Sequence, residues 1–288
     1  MTKNITTAVF PVAGMGTRFL PVTKASPKEM LPIIDKPLIQ YGVEEAVAAG
    51  ITRIIFVTCY TKRAIEDYFD SHFELETRLK ERGKLEHLAM VTNLVPSDVS
   101  ISYVRQAVPR GLGDAILSAR PLVGDEPFVI LLADDVIKSK SPCIRQLIDQ
   151  HNQTGASVLA VERVPKEQTG SYGIVSLGDD GSTVNTIVEK PRPEEAPSDM
   201  AVIGRYLLSP RVFDHLADLE PGAGGEIQLT DAIAKLLLEE RVRVTEFSGV
   251  RYDCGSKAGW LKATLDFAMD RPDLRLVIKD YINERVTI

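Results

Sequence analysis

Short apolar runs, each closed by turn residues and separated from the next by a helical stretch, constrain this chain more than any other feature. Ile5–Ala13 is rich in β-branched residues, and Ile51–Thr58 (ITRIIFVT), Ile101–Arg105, Phe128–Ala133 and Ser157–Arg163 repeat the theme. Runs this brief and this continuously apolar fit strands covered on both faces. Between them, Pro37–Ala49 carries Leu38, Tyr41, Ala46 and Ala49 near helical spacing, with Gly50 as a stop signal, and further helices begin near Gly111 and Ser141. Strand and helix alternating in this way predict an α/β chain with a mainly parallel sheet flanked by helices. Such sheets receive ligands at the carboxyl ends of their strands.

From about Ser171 the texture changes. YGIVSL, STVNTIVEK and MAVIGRYLL are separated by turn residues, among them Gly178-Asp179-Asp180-Gly181, and predict a small antiparallel extension over the ligand edge. Helices are expected over Pro210–Leu219 and Ile227–Glu239, with a strand near Val242–Phe247. Two helices close the chain: Ser256–Met269, which Ser256 can cap, and Asp273–Asn283, which Pro272 helps to start. With 44% hydrophobic residues over 288 positions, a single domain spanning 1–288 is the economical expectation.

Charge and cysteine use narrow the function classes. A formal net charge of −6 argues against a general nucleic-acid or membrane-surface binder. No apolar run approaches the roughly 20 residues of a membrane span. Cys59, Cys143 and Cys254 are odd in number and widely spaced, which suits neither a disulfide framework nor a zinc site. The opening residues lack the pattern of a secretory signal, so a cytoplasmic location is expected.

Ala13-Gly14-Met15-Gly16-Thr17-Arg18 follows the first predicted strand, where a phosphate-binding loop belongs. Glycines there let backbone N–H groups approach phosphate oxygens. The loop is no P-loop, for it lacks Gly-Lys-Ser/Thr, and Phe19 replaces the third glycine of a dinucleotide fingerprint. A lone Gly-x-Gly serves a tight turn equally well. Arg18, Lys24 and Lys28 follow, interrupted by Pro21, Pro27 and Pro32, so the cations sit on a shaped loop rather than a helix. That clustering favours polyphosphate over a solvated basic loop.

Acids at two places in the chain draw notice. Asp134-Asp135 ends the run from Phe128, and a carboxylate there faces the crevice rather than the core. Mg²⁺ takes one or two such carboxylates together with substrate phosphates and water. Asp253, in Tyr252-Asp253-Cys254-Gly255-Ser256, is the second candidate, although alone it reads equally as a helix-start residue.

Together these segments resemble the sugar-nucleotide pyrophosphorylase family, in its uridylyl-transferring branch. The resemblance covers nearly the whole chain. It rests on AGMGTRFLPVTKASPKEMLPI (Ala13–Ile33), SYVRQAVPRGLGDA (Ser102–Ala115), FVILLADD (Phe128–Asp135), SYGIV (Ser171–Val175), VEKP (Val188–Pro191), GEIQLTDAI (Gly225–Ile233) and YDCGSKAGWLKA (Tyr252–Ala263). The branch is selected by a helical insertion around Tyr68–Glu76 and by Val104-Arg105-Gln106 leading to Gly111-Leu112-Gly113. Within the insertion, Phe69/Phe73 and Leu75/Leu79 are read as packing pairs. Two departures from the family pattern stand out: Ala133 where relatives often carry Pro or Gly, and Asp114 where they often carry His.

The resemblance implies a Rossmann-like sheet with residues 1–170 mainly binding nucleotide, 171–255 mainly binding sugar, and 256–288 as C-terminal helices offering oligomer contacts. It implies UTP over Ala13, Gly14 and Gly16, with Arg18 and Lys28 on the phosphates and Glu29, Gln106 and Gly111 at the nucleoside. Gly173, Glu189 and Gly204 would face the hexose of glucose 1-phosphate and Lys190 its phosphate, while Asp134 and Asp253 would hold Mg²⁺. UDP-glucose and pyrophosphate would be the products, and a homo-oligomeric dimer or tetramer the assembly. The phosphate nucleophile is already anionic, so the absence of a Ser-His or Cys-His pair is expected. Other readings are a thymidylyl- or adenylyltransferase of the same fold and an inactive nucleotide-sensing homologue.

Overall fold

The computed structural model describes residues 4–222 and 225–285. Its strands are β1 (Thr7–Pro11), β2 (Pro32–Ile33), β3 (Lys36–Pro37), β4 (Arg53–Thr58), β5 (Ser100–Arg105), β6 (Phe128–Leu131), β7 (Asp135–Lys138), β8 (Ser157–Arg163), β9 (Gly173–Leu177), β10 (Val184–Glu189), β11 (Met200–Leu208), β12 (Val242–Glu246) and β13 (Val250–Asp253). The main sheet runs β5-β4-β1-β6-β11-β8-β12. Within it β11 runs antiparallel to both β6 and β8, while β5, β4, β1 and β6 are mutually parallel and β12 is parallel to β8. The antiparallel hairpin β9-β10 joins the near half of β11 through Ala201 and Val202, whereas β6 pairs with the far half, Arg205–Leu208.

Period-two alternation along the strands divides the core into two faces. Val9, Ile55, Val57, Phe128 and Ile130 pack against one set of helices, including Leu112–Ser118 and Leu229–Leu236. Ala8, Phe10, Ile54, Phe56, Val129 and Leu131 pack on the other side with Leu38–Ala48 and Cys143–Thr154. Coverage on both faces is why these runs show no polar alternation. Gly42 lets the helix Leu38–Ala48 lie close to the sheet: a Cβ there would come 2.9 Å from the Phe10 ring.

Two details were hidden by the sequence pattern. The insertion is not one helix but Arg63–Phe69 followed by Phe73–Glu81 and Leu85–Thr92. His72 caps the second helix, its Nδ1 accepting from the Leu75 N–H at 3.3 Å while Glu76 accepts from the His72 N–H at 2.8 Å. That cap restarts the helix and separates Phe69 from Phe73. Phe69 stacks on Phe56 with centroids 5.1 Å apart, but Phe73 is 82% exposed, so the expected Phe69/Phe73 packing pair does not form. The second detail is the ribbon of β7 and β13, in which Asp135 stands opposite Asp253.

Candidate functional site

Because β1, β4, β5 and β6 are parallel, their loops emerge on one edge: Ala13–Gly16, Cys59–Lys62, Gln106–Gly111 and Leu132–Asp134. The hairpin β9-β10 stands over that edge, and a cleft of about 470 Å³ lies between them. Arg18, Asp134, Gly173, Glu189, Lys190, Gly204 and Asp253 line it. Seven of the expected residues, from both halves of the chain, therefore converge.

The prolines break Thr17–Met30 into three single turns of 3₁₀ helix, which leave Arg18 exposed at the edge of the cleft and carry Lys28 inward to Asp134. Lys28 Nζ lies 2.6 Å from Asp134 Oδ2. Burial alone would push the Asp134 carboxyl upward, but the adjacent ammonium outweighs it and holds the carboxyl below the ordinary range. The β7-β13 ribbon brings Asp253 alongside, with the Cys254 N–H donating to the Asp134 carbonyl at 2.8 Å. Gly255 leaves the space between them: a Cβ there would lie 2.6 Å from Asp134 Oδ2, 2.8 Å from Arg18 Nη2 and 3.0 Å from Asp253 Oδ1. Two carboxylates and a guanidinium thus face one point. Among the described residues no larger cluster of His, Cys, Asp or Glu surrounds it. An oxygen-only pair of this kind fits Mg²⁺ completed by phosphate oxygens and water.

Glu189 and Lys190 are neighbours on a strand, and regular pleating would send them to opposite faces. Lys190 instead adopts φ 45°, in the left-handed region, just past the end of β10. Its Nζ consequently swings back to 3.2 Å from Glu189 Oε1. Both side chains can therefore address one ligand. The Thr230 hydroxyl donates to Glu189 Oε2 at 2.6 Å and holds the carboxylate beside Gly173.

Sequence reasoning missed the floor of the cleft. Asp135 Oδ2 accepts the Gly204 N–H at 2.9 Å, and Asp135 Oδ1 lies 2.6 Å from both Nε and Nη2 of Arg251. Arg251 continues to Glu162 at 2.6 Å and packs over the Tyr172 ring. Any side chain at Gly204 would overlap the Asp135 carboxylate, so the backbone itself forms this wall. The signal for Arg251 was present: it lies two residues before Asp253 on β13, on the same strand face.

The nucleoside residues lie apart from this cleft. Glu29 is 1% exposed and paired with Lys62 Nζ at 2.7 Å, so it faces inward rather than toward an open surface. Burial pushes its carboxyl up against the pull of Lys62. Lys62, absent from the sequence reading, sits at the carboxyl end of β4 and lines a smaller recess with Met15, Thr23 and Lys24. Gln106 is also buried, with Nε2 donating to the Gly111 carbonyl at 3.1 Å and to Asp114 Oδ2 at 2.7 Å. Its amide is thus held by protein, not left to solvent.

Known proteins match this chain over almost its entire length. A sequence model described as nucleotidyl transferase matches residues 8–269. The UTP–glucose-1-phosphate uridylyltransferase of Streptococcus pneumoniae is 49% identical over 290 aligned positions, covering 98% of this chain and 96% of that protein. Among solved structures, a UTP-bound UGPase from Acinetobacter baumannii superposes with a TM-score of 0.89 at 42% identity, covering 98% of this chain and 100% of the other. A UDP-glucose pyrophosphorylase complexed with UDP-glucose gives 0.82 at 42% identity, covering 93% and 100%.

Proposed function

The chain belongs to the nucleotidyl transferase family, and from that premise we propose that it transfers the uridylyl group of UTP to glucose 1-phosphate, giving UDP-glucose and pyrophosphate. The observation that carries this reading is the meeting of Lys28, Arg18, Asp134 and Asp253 with Glu189 and Lys190 across one cleft. A triphosphate entering from the glycine loop and a sugar phosphate entering under the β9-β10 hairpin would meet there.

The reaction joins two anions, so alignment and charge are the barrier. Lys190 would hold the phosphate of glucose 1-phosphate, and Glu189, steadied by Thr230, the hexose hydroxyls against Gly173 and Gly204. Arg18 and Lys28 would take the triphosphate above Ala13, Gly14 and Gly16, with Lys28 exchanging Asp134 for phosphate oxygens. The sugar-phosphate oxygen attacks the α-phosphorus, the bond to the β-phosphate oxygen breaks, and pyrophosphate leaves. No proton need be removed. Asp134 and Asp253 would hold Mg²⁺, which when bound supplies positive charge to the phosphate oxygens. Gln106 and the Gly111 backbone would meet the uracil, and Glu29 would support the nucleoside side from below through Lys62.

Residues 1–170 would mainly bind nucleotide and 171–255 mainly sugar, with the helices Lys257–Asp270 and Pro272–Arg285 appended to the same unit. Exposed Leu261, Leu265, Leu276 and Tyr281 on the last two helices suit a homo-oligomer. Three free thiols suit the reducing cytoplasm, and no helix among the described residues is long and apolar enough to cross a membrane. The test is pyrophosphate release over a grid of nucleoside triphosphates and sugar 1-phosphates. Release confined to UTP with glucose 1-phosphate supports the reading; a preference for dTTP or ATP, or no release, defeats it.

A further inference from the structure

Resting on the reading of Gln106 as the base contact, we propose that Asp114 is the residue that makes that contact discriminate. Gln106 follows the last residue of β5, and Asp114 lies in the first turn of the helix Leu112–Ser118, both at 5% exposure. A primary amide has two N–H donors, and both of those on Gln106 face protein acceptors: the Gly111 carbonyl at 3.1 Å and Asp114 Oδ2 at 2.7 Å. Arg110 Nη2, 2.7 Å from Asp114 Oδ1, holds the other end of the carboxylate.

This arrangement has one stable orientation. Turning the amide over would set its oxygen against a carbonyl oxygen and a carboxylate oxygen, both acceptors without a proton to offer. The amide oxygen, Oε1, is therefore the only group Gln106 can present to a ligand, and it can only accept. A uracil ring offers an N–H at N3; cytosine offers a lone pair at the same place. An amide free to turn would serve either base. Held by Asp114, it serves the first and repels the second, so the carboxylate is a positioning residue for base choice that never touches the base.

The test compares kcat/KM for UTP and CTP by pyrophosphate release in the native protein and in Asp114→Asn, Gln106→Ala and the double variant. Asparagine at this position can donate or accept, so the shorter of the two contacts that fix the amide no longer opposes its turning and only the Gly111 carbonyl at 3.1 Å still does. The UTP-over-CTP ratio is expected to fall about 10-fold or more in Asp114→Asn, the scale of one mismatched buried polar group. UTP use itself should fall by less than the ratio does. In the Gln106→Ala background the same exchange should move the ratio less than about twofold, because the amide it governs is gone. A merely structural Asp114 would lower both substrates together and add its effect in either background. If Gln106→Ala loses selectivity while Asp114→Asn keeps it, the role of Asp114 is overturned and the base contact stands. If both keep it, both fall. Asp114→Ala, which also releases the amide, answers the same question should Asp114→Asn fail to fold.

Discussion

Lys28 and Asp134 neutralise one another where Asp134 lines the cleft, and each variant there is best understood by what it leaves unpaired. Asp134→Asn keeps the shape but removes the charge offered to Mg²⁺ and leaves Lys28 without its counter-ion, so turnover should fall on the order of 10²–10³-fold while the protein still folds with some loss of stability. Pyrophosphate release at limiting Mg²⁺ measures this, and near-normal turnover would remove Asp134 from the metal site. Because Lys28 holds the Asp134 carboxyl below the ordinary range, the pair contributes stability above that range and loses it only as pH falls through the depressed value. Lys28→Met removes the largest pull against burial, leaving a backbone hydrogen bond and Arg18 to oppose it, so the carboxyl rises and the acid limb of the kcat/KM profile should move to higher pH. A limb that stays in place would show that another group sets it. Lys190→Ala should raise the KM for glucose 1-phosphate or lower turnover far more than it changes UTP binding; equal losses would mark Lys190 as structural. The sequence marked much of this residue set by clustering alone, because each glycine, cation or acid taken singly also suits a turn, a solvated loop or a helix start. Arg251 could have been found from its place two residues before Asp253, but its partner Asp135 could not, since that pairing runs across a ribbon joining segments more than a hundred residues apart.

At the scale of elements, the helix Lys257–Asp270 begins where the second acid ends. The Ser256 hydroxyl accepts the Gly259 N–H at 3.0 Å and donates to the Asp253 carbonyl at 3.0 Å. Ser256→Ala should cost about 1 kcal/mol as a lost cap. It should also raise the Mg²⁺ concentration giving half-maximal activity, because the same hydroxyl fixes the backbone of Asp253. Thermal unfolding and a metal titration read the two effects separately; a lowered melting point with an unchanged Mg²⁺ requirement would confine Ser256 to capping. This cap was readable from local sequence, as were Ser157–Arg163 and the stop of Leu38–Ala48 near Gly50. The break before Phe73 was not. Apolar spacing alone continues a helix through Asp70–His72, and only the competing cap ends it.

Across the whole molecule, Arg205 joins parts that lie far apart in the chain. It stands on β11, 1% exposed, bonded to Glu45 on Leu38–Ala48 at 2.8 Å and to the carbonyls of Leu132 and Asp135 at 3.0 and 2.7 Å. Glu45 in turn accepts the Ile144 N–H at 3.1 Å. One ion pair therefore ties the sheet, two helices and the loop bearing Asp134. Arg205→Met leaves Glu45 buried without its partner, and should cost about 3–5 kcal/mol in urea unfolding. A loss under about 1 kcal/mol would mean that Glu45 finds water or a proton at little cost. Within MAVIGRYLL this arginine reads as an outward residue; its partner is 160 positions away, beyond any local pattern. The reversed strand that carries Arg205 also bears on how the protein is made. β6 is entirely buried and apolar, and its outer edge is closed only by β11, which leaves the ribosome much later. Until then the nascent chain displays an open, hydrophobic sheet edge, the kind that recruits other chains. A product released after residue 170 should therefore precipitate or be held by chaperones rather than persist as half an enzyme.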